Sequence, residues 1–435
     1  MHGPTRPWWQ DEAPPDEELP PLAGEVQADV AIVGGGFTGL WTALEVLRAR
    51  PSASVVVLEA SRCGDGASGR NGGFLHGYWA SLPRLRDLFG ADAAVALARE
   101  ATGVYDAVRA LGEDVWLVEG GMLAVAIGPA HEAELERAAA VAAEVGAPEE
   151  AVLLDRGDFD VRSPAFRRAL RYRDCATVQP ARLVRALRRA ALAAGARVHE
   201  RTTVVGIDGS TVRATGGSVR AEEIVLATNA SAAVGWPLAR RVAVFRSAIV
   251  LTEPVPDLHD RLGWRGGEAI ADERTYLSYF RATHDGRVLM GSASGDWPRA
   301  EDALRRYFPQ LADVAIAARW EGAIDVSSDR FPVLGTVRGT RIHCGAGYTG
   351  NGVGPSWLVG RTLARLALGE EVRSPLLATR APSLPPEPLR TIGASVVRRA
   401  ILAIDDAETE GRAPPRWAQV VRRGPELVGL RVASR

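Results

Sequence analysis

The first clear pattern along the chain is Ala28-Asp-Val-Ala-Ile-Val33, a short β-branched run that stops at Gly34-Gly-Gly-Phe-Thr-Gly39. Apolar residues then recur at Leu40, Ala43, Leu44 and Leu47, the i, i+3, i+4, i+7 spacing of a helix with one buried face. Ser54-Val-Val-Val-Leu-Glu59 follows as a second strand, and its unbroken apolar run predicts burial on both faces. Together these form a βαβ unit of about 30 residues, with an acidic residue about 20 positions beyond the last glycine. Residues 84–112 and 132–146 carry the pattern of amphipathic, alanine-rich helix and flank a strand-like stretch, 122–127. A helix over 180–195 leads into strands over 197–207, 211–214 and 223–227, and further strand patterns fall at 241–251, 275–281 and 287–290. A last strand, 341–344, enters a glycine-rich loop and then a helix over 356–368. Ser383-Leu-Pro-Pro-Glu-Pro388 marks a linker, and the residues after it predict a helical, arginine-bearing appendage.

Composition narrows the chemistry. The 435 residues suggest two to three domains' worth of chain. Charges nearly cancel, 52 basic against 53 acidic, so the overall field gives no reason to expect a nucleic-acid or anionic-membrane partner. There is no lysine, so all 52 basic residues are arginine. That excludes pyridoxal-phosphate Schiff-base enzymes, P-loop NTPases and lysine nucleophiles, each of which needs an ε-amine. Cys63, Cys175 and Cys344 are too scattered for a disulfide framework or a metal knuckle, so no metal site is expected and a reducing, cytoplasmic compartment fits. Residues 1–24 lack the basic and apolar regions of a signal peptide, and no apolar run of transmembrane length occurs.

The glycines after the first strand have a specific physical use. Gly34 makes the tight turn, Gly36 lets the backbone around Phe37 and Thr38 approach a pyrophosphate at the helix N-terminus, and Gly39 lets helix and strand pack closely. Glu59 is placed to accept from the adenosine ribose hydroxyls, and its charge disfavours a 2′-phosphate. A dinucleotide site is expected here.

Shortly after Glu59 and Ala60 comes Arg62-Cys-Gly-Asp-Gly66-Ala-Ser-Gly-Arg-Asn-Gly-Gly73, which resembles the second flavin-contacting loop of the D-amino-acid and glycine oxidase family. The string Gly66 to Gly73 is most similar to the γ-glutamylputrescine oxidase branch. Thr203-Val-Val205 lies where that family holds adenine by backbone groups, which brings in Val204 and Val205. Leu226-Ala-Thr-Asn-Ala230 resembles the strand end that returns to the cofactor through Ala227 and Thr228. Asp329-Arg-Phe-Pro-Val-Leu-Gly335 and Gly345-Ala-Gly-Tyr-Thr-Gly-Asn-Gly-Val353 resemble the C-terminal flavin motif. The resemblance therefore implies FAD, held at its flavin end by Ala67, Ser68, Arg70, Asn71 and Gly72, and by Gly347, Tyr348, Thr349, Gly350, Asn351, Gly352 and Val353. Five glycines between Gly345 and Gly354 would let backbone N–H groups and the positive helix end approach the negative edge of a reduced flavin.

The departures from the family define the substrate side. Glycine-oxidase-like members carry a Gly-Leu-Arg stretch whose arginine forks onto the substrate carboxylate; this chain has Gly322-Ala323-Ile324. Sarcosine-oxidase relatives place a flavin-bonding cysteine where Gly322 stands, so non-covalent FAD is implied. The lysine by which some members promote oxygen reduction is absent from the matching strand, Arg287-Val-Leu-Met290, which argues against fast use of O2.

Candidate substrate contacts follow. Tyr276 and Tyr279, on a strand at i and i+3, should face opposite sides, and Tyr279 is the favoured pocket residue. Arg246 and Arg281 are candidates to hold a distal anion, Asp325 to pair with a substrate ammonium, and His76 to face the flavin ring. The expected fold is α/β: a discontinuous Rossmann-like FAD domain (26–85, 175–240, 325–372), an interleaved, mostly antiparallel α+β substrate domain (86–174, 241–324), an N-terminal arm (1–25) and the appendage (373–435). The expected reaction is hydride transfer from the carbon next to an amine nitrogen to flavin N5, followed by imine hydrolysis, with O2 or another acceptor taking the electrons. A D-amino-acid dehydrogenase or oxidase and a non-catalytic flavin-binding interaction protein are the alternatives, and the oligomeric state has no signature in the sequence.

Overall fold

The computed structural model of the chain describes residues 6–233, 237–378 and 382–427, so the first five residues of the arm and the last eight of the appendage lie outside it. Two eight-stranded sheets carry the fold. The first runs in the order Val333–Thr336, Ile342–Ala346, Gly217–Leu226, Gly24–Val33, Val55–Leu58, Arg197–His199, with Thr211–Ala214 and Val204–Asp208 added at one side. Its centre is parallel: Gly24–Val33 lies between Gly217–Leu226 and Val55–Leu58. Pleat parity explains the apolar runs of both strands. Val30, Ile32, Val55 and Val57 enter a core shared with the helices Phe37–Ala49, Pro180–Ala193 and Pro355–Ala367. Ala31, Val33, Val56 and Leu58 enter the opposite core with Val212 and Val219. Each buried Val, Leu or Ile stabilises this arrangement by about 1.5–3 kcal/mol relative to exposure.

The second sheet has the order Ile316–Ser327, Val242–Thr252, Val288–Ser292, Ser278–Ala282, Ala269–Asp272, Met122–Val125, Ala169–Tyr172, Ala151–Leu154. Its pairings are antiparallel except that of Ala269–Asp272 with Met122–Val125. The strands come from 122–172 and 242–327, on either side of the 197–226 strands of the first sheet, so the fold is α/β with an interleaved, mostly antiparallel second region. Ile316–Ser327 passes uninterrupted through residues 324 and 325.

Three expected elements are redrawn for identifiable reasons. The helix over 84–112 is three helices, Leu82–Phe89, Ala91–Ala101 and Val104–Arg109. One break falls at Gly90, with φ +85°, and another at Gly103, where a Cβ would lie 2.5 Å from the Trp357 indole. The strand over 197–207 divides because buried Glu200 leaves the sheet to accept from Cys63 N–H (3.0 Å) and Arg188 Nε (3.1 Å). The strand expected from 275 begins at Ser278, since the N–H groups of Thr275 and Tyr276 both donate to Asp405 at 2.9 Å.

Asp405 belongs to the appendage, which consists of Leu389–Thr409 and Arg416–Leu427 packed as a helical pair. Arg299 grips Asp406 with both guanidinium nitrogens (2.9 and 3.0 Å), and Arg398 donates to the Ser294 carbonyl (2.8 Å), so the pair is docked on the second sheet. The N-terminal arm is also docked, through the short helix Trp8–Glu12 and the fully buried Trp9. Among the described residues no helix is long and apolar enough to cross a membrane.

Candidate active site

The first glycine loop closes on backbone. Gly34 adopts φ +112°, and a Cβ there would lie 2.4 Å from the Ala227 carbonyl oxygen; on Gly39 it would lie 1.9 Å from the Gly34 carbonyl oxygen. Ala227 donates its N–H to Val33 (2.9 Å), which sets Ala227 and Thr228 across from the loop. Glu59, just past its strand, accepts from Gly35 N–H (2.7 Å) and Ser61 N–H (2.9 Å). Burial nevertheless raises its pKa, with those two donors opposing the shift. Thr202 N–H donates to the Glu59 carbonyl (2.8 Å); Val204 packs against the core under the first sheet and Val205 is 68% exposed. Ala60, Arg62 and Gly66 lie at the surface, where Arg62 pairs with Glu18.

The second and third loops are tied to the first. Ser68 Oγ accepts from Phe37 N–H (2.9 Å), and Thr38 Oγ1 shares a hydrogen bond with the Tyr348 hydroxyl (2.6 Å). Asn71 folds back on its own loop, accepting from Gly73 N–H (2.8 Å) and donating to Ser68 O (2.9 Å). The carbonyls of Arg70 and Asn71 accept from the indoles of Trp320 (2.8 Å) and Trp9 (2.9 Å), whose rings meet edge to face at 6.1 Å. Against Gly354 a Cβ would lie 2.1 Å from the His76 carbonyl oxygen, and Asn351 Nδ2 donates to the Gly77 carbonyl (3.2 Å), so the second and third loops abut.

These loops form one side of a cavity of about 1460 Å³. Arg70, Asn71, Gly72, Phe74 and His76 line it from the second loop, and Tyr348 to Asn351 and Val353 from the third. The second sheet contributes Ala243, Phe245, Ser247 and Ile249 at a strict two-residue period, with Gly322, Ala323, Ile324 and Val326 from the neighbouring strand. The appendage contributes Leu389, Val397 and Ile401.

Tyr279 is the centre of the second-sheet wall. Its ring lies between Gly72 and Gly291, where added Cβ atoms would come within 2.7 and 2.0 Å, and its hydroxyl bonds Ser247 Oγ at 2.8 Å. Tyr276 also lines the cavity, contrary to the opposite-faces expectation, because it precedes the strand. Burial pushes both phenols up to about 12. His76 borders the cavity, and burial pushes its imidazole down to about 4, so it is neutral near pH 7 and supplies no positive charge.

Three expected contacts are corrected by the geometry. Arg246 sits between Phe245 and Ser247, so the pleat turns it away from the cavity to an exposed pair with Glu321. Arg281 is fully buried and donates to the carbonyls of Val178 (2.7 Å) and Gly73 (3.2 Å), stacked 5.6 Å from the Trp9 ring; burial lowers its pKa to about 9. Asp325 accepts from the N–H groups of Gly347 and Tyr348 (3.2 Å) and is buried behind the third loop, where it holds that loop rather than facing a substrate. It therefore occupies two N–H groups expected to face an anion, leaving those of Gly350 and Gly352 with no partner among the described residues. Arg274 and Arg330, which the sequence reading did not single out, do line the cavity. Arg274 is engaged with Asp272 (2.7 Å) and the Tyr307 hydroxyl (3.0 Å); Arg330, at φ +67°, interacts with Glu273. Arg330 lies inside the quoted motif, but nothing local shows where its side chain goes.

The family profile described as "DAO: FAD dependent oxidoreductase" matches residues 29–366, well over half of the chain. The chain belongs to this family of FAD-dependent oxidoreductases. It is 31% identical over 391 residues to a probable oxidoreductase OrdL of Rhizobium meliloti (strain 1021), covering 85% of this chain and 90% of that one. It is 31% identical over 372 residues to the γ-glutamylputrescine oxidoreductase of Escherichia coli (strain K12), covering 81% and 86%. Among solved structures, glycine oxidase from Geobacillus kaustophilus superposes with a TM-score of 0.69 at 25% identity, covering 82% of this chain and all of that one. The site fits the family's FAD. The Gly34 and Gly39 positions exclude a side chain, Glu59 offers a carboxylate at the strand end, and Asn351 Oδ1 is a buried acceptor without a partner on the cavity wall. No cluster of metal-ligating side chains occurs among the described residues.

Proposed function

We propose that this flavoenzyme oxidises a C–N bond of a primary or secondary amine, the carbon next to nitrogen giving its hydride to FAD and the imine then hydrolysing to an aldehyde plus amine or ammonia. The observation that carries this reading is Ile324. Its Cδ1 lies 4.0 Å from the Cβ position of Gly350, so aliphatic surface borders the third loop where a carboxylate-binding relative would need a cation. A free α-carboxylate there would lose hydration without gaining a partner, a penalty on the order of several kcal/mol. An amine lacking that group meets no such penalty. The apolar wall of Phe245, Ile249, Ile324 and Val353 also disfavours an ammonium, and the deprotonated amine is the form able to give up a hydride. Neutral His76 and the protonated phenols of Tyr276 and Tyr279 orient the nitrogen by hydrogen bonds without adding charge.

γ-Glutamylputrescine, the compound in one relative's name, carries its carboxylate far from the terminal amine of its putrescine end. A substrate of that kind would use Arg330 for its distal anion, in place of Arg246 and Arg281. FAD is held without a covalent bond in this reading: Gly322 has no nucleophile, and the three free cysteines are buried, with thiol pKa values raised by that burial. Unpaired thiols also fit a reducing, cytoplasmic setting. With no lysine in the chain and His76 neutral, an artificial dye should outpace O2 as acceptor.

The test is anaerobic bleaching of the yellow enzyme across a panel. Alkylamines, with and without a remote carboxylate, should reduce the flavin at least about tenfold faster than glycine, sarcosine or D-alanine, by the size of that penalty. Efficient reduction by D-alanine would overturn the reading and assign Arg330 or Arg274 to an amino-acid carboxylate instead.

A further inference from the structure

Exposed large hydrophobic residues concentrate on the C-terminal helical pair. Of the nine large hydrophobic residues that stand exposed among the described residues, five lie there: Leu389, Ile392, Val396, Trp417 and Val420, the last 72% accessible. Leu389, Ile392 and Val396 follow one another at i, i+3 and i+7 on Leu389–Thr409 and all three stand exposed, Leu389 and Val396 at the rim of the cavity. Trp417 and Val420 are at i and i+3 on Arg416–Leu427. The two stripes meet, since Val396, Arg399, Trp417 and Val421 share one shallow groove.

Charge is sorted across the same pair. The acids of the first helix face the protein: Asp405 accepts from Thr275 and Tyr276 N–H, Asp406 binds Arg299, and Glu408 stands 3.9 Å from the His131 imidazole. Glu410 is neutralised by Arg412. Arg399, Arg416, Arg422 and Arg423 flank the apolar stripes instead, and none of these four makes an ion pair among the described residues. Residues 428–435 add two arginines and no acid.

We propose that this face docks the protein on an anionic membrane surface. Trp and Val side chains flanked by arginines suit the boundary between lipid headgroups and acyl chains, where apolar burial and attraction to anionic lipid act together. The near-zero net charge of the whole chain hides this, because the acids of the first helix are engaged by the rest of the protein. A second copy is a poor occupant: a two-fold interface would set the same four arginines against each other. Leu389, Val396 and Val421 also line the cavity, so docking places the cavity wall next to the bilayer.

The FAD-loaded full chain is tested by co-sedimentation with phosphatidylcholine vesicles, either pure or about one-third phosphatidylglycerol. Binding should be at least about tenfold greater to the anionic vesicles and should fall steeply as salt is raised toward ~0.5 M. The double variants Trp417→Ser/Val420→Ser and Arg416→Glu/Arg423→Glu should each lose about tenfold of that binding, while flavin absorbance and amine turnover stay unchanged. Equal binding to both vesicles, no binding to either, or variants that bind like the wild type would overturn the proposal. A concentration-dependent dimer broken by the same substitutions would overturn it too, and assign the face to a second copy.

Discussion

Around the glycine loops the decisive contacts are made by backbone: Gly34 against the Ala227 carbonyl, Gly39 against the Gly34 carbonyl, Gly347 and Tyr348 N–H on Asp325. Across the cavity, on the second sheet, they are made by side chains: Tyr279 between two glycines, Ser247 on its hydroxyl, Ile324 beside Gly350. Gly34 and Gly39 tolerate no added atom, because a backbone neighbour cannot move aside. The second region can exchange one side chain for another and keep its fold.

That contrast sets the order of expected effects. Gly39→Val should be the most damaging, since its Cβ alone meets a carbonyl oxygen at 1.9 Å; colourless or insoluble protein is the expected result, and a yellow, soluble variant would refute the backbone argument. Asp325→Asn keeps the shape but replaces one acceptor of the third loop by a donor. It should weaken FAD binding by roughly 10–100-fold, from a loss of about 1–3 kcal/mol, measured by fluorescence titration of the apoprotein.

On the side-chain wall the effects should be smaller and confined to turnover. Tyr279→Phe removes the bond to Ser247 but leaves the ring in its slot, so kcat should fall roughly tenfold with FAD content unchanged. His76 gives a pH signature. Its folded pKa of about 4 lies below the ordinary 6.5, so the unfolded chain takes up a proton first as pH falls. Its contribution to stability is complete above pH 6.5 and is lost as pH drops toward 4. Wild-type melting temperature should therefore fall more steeply over that window than that of His76→Gln, by the equivalent of about 1–2 kcal/mol for a half-buried imidazole. Arg246→Ala should do least: an exposed pair is worth about 0–1 kcal/mol, and neither turnover nor melting should change measurably.

The parallel strands, their flanking helices and the glycine turn with Glu59 were legible in the sequence, whereas the two later loops were marked out by resemblance to the family. Each is a contiguous stretch whose spacing is dictated by local backbone geometry: a period of two or 3.6, or a turn that only glycine can make. The cavity wall was not legible in the same way. Arg246 and Ser247 are neighbours, and only the register of Val242–Thr252 against Ile316–Ser327 decides that Ser247 faces the cavity and Arg246 the solvent. Tyr276 joins Tyr279 on one wall because Asp405, about 130 residues away in sequence, keeps it out of the strand. Trp9 and Trp320, separated by most of the chain, converge to hold the Arg70 and Asn71 carbonyls, and no local pattern announces either. What the sequence determined by itself is where a backbone can approach a cofactor. Which side chains face the cavity was decided by pairing and docking between distant segments, because a side chain's direction depends on the partner its backbone finds.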